Sequence, residues 1–153
     1  MVENPDRIYI DENDRKLLKA IDDSPEPEIK QLLSNPGRSR KEQFLYFLAV
    51  GVTNGTKIPL KKKDQGGFFL LKDLKTEDEA IINSVAMWHE KSANVLADRS
   101  KVLEIAEQYA HAGIQITAQA IESLQFGSFQ KKLEQNLWLI FNQREKHGSM
   151  QSE

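Results

Sequence analysis

Phe44-Leu45-Tyr46-Phe47-Leu48-Ala49-Val50-Gly51-Val52 runs for nine residues without a charge, and capping signals bracket it. Ser39 reads as the N-cap of a helix, Glu42 three residues on as its capping-box partner, and Asn54-Gly55 as the stop. A helix apolar on every side has no face to give to water. It is either the central helix of a core or one wall of a subunit interface. The fold class that follows is mainly α: a single-domain bundle of about five helices over residues 1–147, with a short N-terminal strand, an irregular central loop and a disordered tail at 148–153.

Working outward from that helix, Arg7-Ile8-Tyr9-Ile10 alternates polar and apolar and fits the short strand. Asp11 then reads as the N-cap of a helix over 13–21, with Leu17, Leu18 and Ile21 inward. Pro25 and Pro27 break it, and a turn or two of helix fits 28–33. From Gly55 to Leu74 helical periodicity vanishes, and irregular segments of that length are usually functional or mobile. Within it, Phe68 to Leu71 suits an extended segment or a buried loop. Thr76 with Glu79 is a second capping box, opening a helix with Ile81 or Ile82, Val85 and Trp88 inward. Asp98 caps the longest helix, in which Val102, Ile105, Ala106, Tyr109, Gly113, Ile116, Ala120 and Leu124 share a face. Gly113 costs about 1 kcal/mol relative to alanine there, so a neighbouring helix is expected to pass close to it. A last helix is expected over 129–146, with Phe129, Leu133, Leu137, Ile140 and Phe141 inward and Trp138 on another side. Phe44, Phe47, Leu48, Val52, Ile105, Tyr109 and Ile140 are expected to share one core.

Composition bounds the function. Hydrophobic content of 39% and charged content of 29% in 153 residues fit one soluble domain. No apolar run approaches the roughly 20 residues that span a bilayer, and the start of the chain is acidic and polar. No signal peptide or membrane anchor is expected, and with no cysteine a cytoplasmic location fits. The net charge of −2 hides three blocks. Residues 1–35 carry five bases and nine acids, residues 36–72 eight bases and two acids, and residues 73–125 four bases and nine acids. The middle block makes one basic face, or the blocks meet in the fold and neutralise one another.

Motifs for chemistry are missing. His89-Glu90 opens like a zincin motif, but Ala93 stands where the second ligand belongs. His111 follows Glu107 by four residues, the spacing of an ordinary helical pair. Gly66-Gly67 lacks the lysine and hydroxyl of a nucleotide loop, and no serine sits in a nucleophile elbow. No catalytic residue, metal site or cofactor is expected, and the chain reads as a non-enzyme. The basic block alone has a mechanism. Lys57, Lys61, Lys62 and Lys63 suit phosphates, and Arg38, Arg40 and Lys41 stand at the amide-rich start of the central helix. No aromatic residue interleaves with them in sequence, as a single-strand binder would want.

Taken in order, Arg7-Ile8-Tyr9-Ile10, Ala49-Val50-Gly51 with Pro59-Leu60, Ile82-Asn83-Ser84-Val85-Ala86, and Ile105-Ala106-Glu107-Gln108-Tyr109-Ala110-His111-Ala112-Gly113 resemble a family of small accessory proteins. Genes of that family accompany DNA phosphorothioation and its restriction systems in bacteria and archaea. The resemblance spans roughly residues 7–142 and is most specific in the Glu-x-Tyr-Ala-x-x-Gly run. It implies work beside DNA-modifying or DNA-cleaving proteins and carries over no catalytic residues. The partners expected are proteins of such a system, the DNA backbone through the basic block, and further copies of the chain, with no membrane. Self-association is expected because the central and last helices carry more apolar faces than one small core covers, with Trp138 and Tyr46 at the contact. The alternative is a helical oligomerisation or adaptor module without nucleic-acid contact.

Overall fold

The computed structural model describes residues 6–23, 39–123 and 137–142. Its elements in order are β1 (Arg7–Ile8), α1 (Asp14–Asp22), α2 (Arg40–Thr53), β2 (Phe69–Leu70), α3 (Thr76–Glu90) and α4 (Arg99–Ser123), with short 3-10 turns at Leu71–Asp73 and Ala93–Ala97. Residues 137–142 are also helical. The fold is mainly α, as the sequence implies. The expected turn at 28–33, Leu124, most of the last helix and the expected tail lie outside the described residues.

Two glycines set the architecture. A Cβ built on Gly113 of α4 would lie 2.7 Å from the carbonyl carbon of Phe47, with its oxygen nearer still. A Cβ on Gly51 of α2 would lie 2.8 Å from the carbonyl carbon of Tyr109, again with the oxygen closer. Each glycine therefore opposes the backbone of the other helix, and α2 and α4 cross with nothing between them. The close approach expected at Gly113 is there. Its reciprocal at Gly51 was not foreseen. Phe44, Phe47 and Leu48 of α2 and Ile105, Ala106, Tyr109 and Ile114 of α4 are buried around this crossing. α1 and α3 pack on α4 as well, so α4 is the hub.

Local signals place the ends. Ser39 Oγ accepts the Glu42 N–H at 3.3 Å, and the chain leaves α2 through Asn54 and Gly55, the latter at φ +64°. Asp98 caps α4 by accepting the Lys101 N–H at 3.1 Å. The N-cap of α3 is Lys75 rather than Thr76, and Asp78, not Glu79, accepts its N–H, at 2.8 Å. Glu79 instead pairs with Arg99 at 3.0 Å, which tethers the start of α3 to the start of α4.

The irregular segment 55–74 is fastened along its length. The N–H groups of Thr56, Ile58, Asp64 and Phe68 donate to carbonyls of Gly51, Gln108, Ile10 and Ile8 at 3.0, 3.2, 2.9 and 2.7 Å. The segment thus lies antiparallel to the N-terminal strand, with Arg7 opposite Leu70 and Ile8 opposite Phe69. Ile8 is fully buried beneath it.

Three expected core residues stand in solvent. Ile140 is 54% exposed, and Leu137 and Phe141 are exposed as well, while α1, α2 and α3 pack on α4. Trp88 of α3 is also outside: Ile82 and Ala86 make the buried stripe, and the indole falls beyond its edge.

Candidate functional site

The turn into α1, the loop at 61–64 and one face of α4 bring together four buried ionisable side chains, Asp11, Asp14, Glu107 and His111. Asp11 opens α1 by accepting the Asn13 N–H on one oxygen at 3.0 Å. Its other oxygen accepts the N–H groups of Lys61 and Lys62, at 2.7 and 3.3 Å. Burial pushes the Asp11 carboxyl up, but these three donors outweigh it and hold it below the ordinary value. The basic loop is therefore moored by an acid at its backbone, while its side chains point elsewhere.

Asp14 and His111 are 97 residues apart and meet at 2.6 Å, Oδ2 to Nδ1. Gln115 Nε2 lies 3.3 Å from the other ring nitrogen, so Nε2 accepts from the amide and Nδ1–H donates to Asp14. Burial raises the Asp14 carboxyl above its usual range, and the histidine only partly offsets this. Asp14 Oδ1 has no hydrogen-bond partner among the described residues. An aspartate orienting a histidine is half of a catalytic constellation, but here both are buried and the outward nitrogen is occupied. The pair ties α1 to α4.

Glu107 does not pair with His111 one turn on, as the spacing suggests. It accepts the Tyr9 N–H at 2.7 Å and lies 3.7 Å from Lys63 Nζ. The N-terminal strand needs an acceptor at Tyr9, and Glu107 is the side chain that reaches it. Burial raises its carboxyl to about 7 from 4.5, against the pull of Lys63 and Tyr9. A carboxyl raised on folding adds stability below its unfolded value and loses it as the pH rises through the folded one. The loss therefore falls between about pH 4.5 and 7 and is on the order of 3 kcal/mol. Glu107→Gln keeps an acceptor for Tyr9 and gives up only an exposed partner for Lys63. It is expected to be more stable than the native chain at about pH 8 and less so at about pH 5, by urea denaturation at both. An unchanged pH dependence would remove Glu107 as its source.

The described residues of the basic block differ in their partners. Arg38 lies outside the described residues. Arg40 donates to Gln43 at 2.9 Å and lies over the Phe68 ring. Lys41 pairs with Asp78 at 2.8 Å and holds that carboxyl below its usual range, while Lys62 pairs with Glu12 at 3.2 Å. Lys63 reaches Glu107 and lies over the Tyr9 ring. Lys57 meets His89 at 3.1 Å. The Lys61 ammonium has no ion-pair partner among the described residues. Acids of both flanking blocks thus neutralise part of the middle one. Lys62, Lys63 and Asp64 share an open polar cavity of about 320 Å³ with Glu12 and Gln65.

The longest run of exposed apolar residues among the described residues is elsewhere. Leu137, Trp138, Leu139, Ile140 and Phe141 are five consecutive residues between 54% and 65% exposed. The sequence reading sets Trp138 at a contact but places Leu137, Ile140 and Phe141 inward, and these three are exposed as well. Five apolar residues in a row cover every side of a helix, and that pattern was the signal. Among the described residues no group of histidines and carboxylates converges on a metal site, and no helix is long and apolar enough to cross a membrane.

Residues 7–153 match the family described as DNA sulphur modification system-associated protein 4, and the chain belongs to that family. No curated protein and no solved structure matches it.

Proposed function

We propose that this chain, an accessory protein of a DNA sulphur modification system, works as a binding subunit with no chemistry of its own and docks onto another protein of that system. The exposed helix at 137–142 carries this reading. Contiguous apolar surface rimmed by polar residues is the ordinary mark of a protein contact, and large aromatic residues such as Trp138 concentrate binding energy there. Asn136 and Asn142 bound the apolar run in sequence. Tyr46, the other aromatic residue expected at a contact, is half-buried and packs edge-on against Phe47.

The chain co-expressed with the other proteins of its system is expected to co-purify with at least one of them. Trp138→Asp with Phe141→Asp is expected to abolish this and leave the fold intact, since both side chains are exposed. Co-purification unchanged in the double variant contradicts the reading. A dimer of the isolated chain, lost in the same variant, would assign the helix to a second copy instead.

A second reading is contact with the DNA backbone, favoured by Lys61, Lys62 and Lys63 standing exposed on a backbone that Asp11 fixes. Arg38, Arg40, Lys41 and Lys57 would extend the contact. Such binding ignores sequence and weakens steeply with salt, because each neutralised phosphate releases counterions.

A further inference from the structure

The fold links an exposed tryptophan and a lysine of the basic block through one tyrosine–histidine contact, and from that arrangement we infer a subsite for one unpaired nucleotide of single-stranded DNA. Trp88 of α3 is 56% exposed, and its ring lies 6.1 Å from that of Tyr109 on α4. His89, the next residue, meets the same Tyr109 ring edge-on at 5.6 Å, with Nδ1 2.9 Å from the phenol oxygen. The other ring nitrogen of His89 lies 3.1 Å from Lys57 Nζ. An ammonium has only protons to offer, so Nε2 accepts and Nδ1 carries the proton donated to Tyr109. The contact is then a hydrogen bond to a ring nitrogen and not an ion pair.

That separates Lys57 from Lys41, Lys62 and Lys63, each of which faces a carboxylate. Trp88 and Lys57 are both referred to one rigid point, the buried Tyr109 at the α2–α4 crossing. An exposed indole and a cation with no carboxylate partner among the described residues, joined through Tyr109 and His89, match a nucleotide: a base to stack and a phosphate to pair. Paired DNA keeps its base faces inside the stack, so the strand must be unpaired. Ile81, seven residues before Trp88 and also exposed, makes a protein face the competing occupant. Lys57 decides against it. An apolar partner covering Trp88 and Lys57 together would bury an ammonium that meets no carboxylate of the described residues. The aromatic residue that the basic block lacks in sequence is thus supplied by tertiary structure. The inference rests on the chain serving a DNA sulphur modification system, but it needs neither Lys61 to Lys63 nor the helix at 137–142.

The test uses the full chain carrying Trp138→Phe, which leaves Trp88 as the sole tryptophan. Its emission is read at low salt against an eight-residue oligodeoxythymidine and against a duplex hairpin. The single strand is expected to quench Trp88 and the hairpin is not. In the native background, anisotropy of the labelled strand should show Trp88→Ala weakening binding about ten- to a hundredfold, with Trp88→Phe restoring most of it. Lys57→Gln should weaken it less and reduce the salt slope by about 0.7. Replacing Lys61, Lys62 and Lys63 together by glutamate should leave quenching at saturation intact. The inference is overturned by absent quenching, by equal quenching with the hairpin, or by Trp88→Ala binding the strand as tightly as native. It is also overturned if Trp88→Ala abolishes protein co-purification and leaves strand binding alone. Should Trp88→Ala fail to fold by circular dichroism, Trp88→Phe and Lys57→Gln carry the test. Co-purification of the Trp138→Asp, Phe141→Asp variant is read separately, so failure of one reading does not conceal the other.

Discussion

Gly113→Ala is expected to destabilise the protein by about 3 kcal/mol, although alanine is the better helix former by about 1 kcal/mol. The added methyl meets the carbonyl group of Phe47, and a backbone has no rotamer by which to yield. Relief requires α2 and α4 to separate, which loosens Phe44, Phe47 and Leu48 against Ile105, Ala106 and Tyr109 together. Gly51→Ala is expected to cost about as much, because its methyl meets Tyr109 in the same way. The double variant should lose clearly less than the sum, since one separation accommodates both methyl groups. Chemical denaturation of the three variants reads this. A cost within about 0.5 kcal/mol of zero for Gly113→Ala would mean the helices do not cross as described.

His111→Ala is expected to cost about 3–5 kcal/mol at neutral pH, the usual penalty for removing one partner of a buried pair. Asp14 would then be left with neither oxygen bonded by a side chain, in a site that already raises its carboxyl by burial. Removing the histidine removes what lowers that carboxyl, so Asp14 should be protonated more readily in the variant. A carboxyl raised on folding costs stability only where it ionises, so the penalty should shrink as the pH falls. Asp11, Asp64 and Asp78 are held low and lose stability in acid in both proteins, so the difference between variant and native is the quantity to follow. Denaturation at about pH 5 and pH 8 measures it. A penalty that is the same at both would show that packing, not the carboxylate, is lost.

The parts legible in sequence were those decided by neighbours along the chain. Ser39, Asn54-Gly55 and Asp98 mark helix ends because caps act within one turn, and the short alternation at Arg7 to Ile10 marked the strand. Gly113 was legible for a different reason: a glycine inside an apolar helical face is a cost that only a close neighbour offsets. The Asp14–His111 pair was not legible, since nothing local joins residues 97 apart. Glu107 misled, because helical spacing offers His111 while the buried strand edge at Tyr9 offers a stronger claim. The basic block was visible as composition, but its partners Glu12, Asp78 and Glu107 come from other elements. Spacing alone could not tell that Leu137, Ile140 and Phe141 would stand in solvent.

We propose that the chain acts by docking through the helix at 137–142. Amide hydrogen exchange, run on the full chain alone and in complex with the co-purifying protein of its system, tests this most directly. New protection at 137–142 is expected in the complex, with exchange at α2 and α4 unchanged. Unaltered exchange at 137–142, with protection arising instead around Asp11, Asp14 and the loop at 61–64, would contradict it and move the contact to the polar cluster.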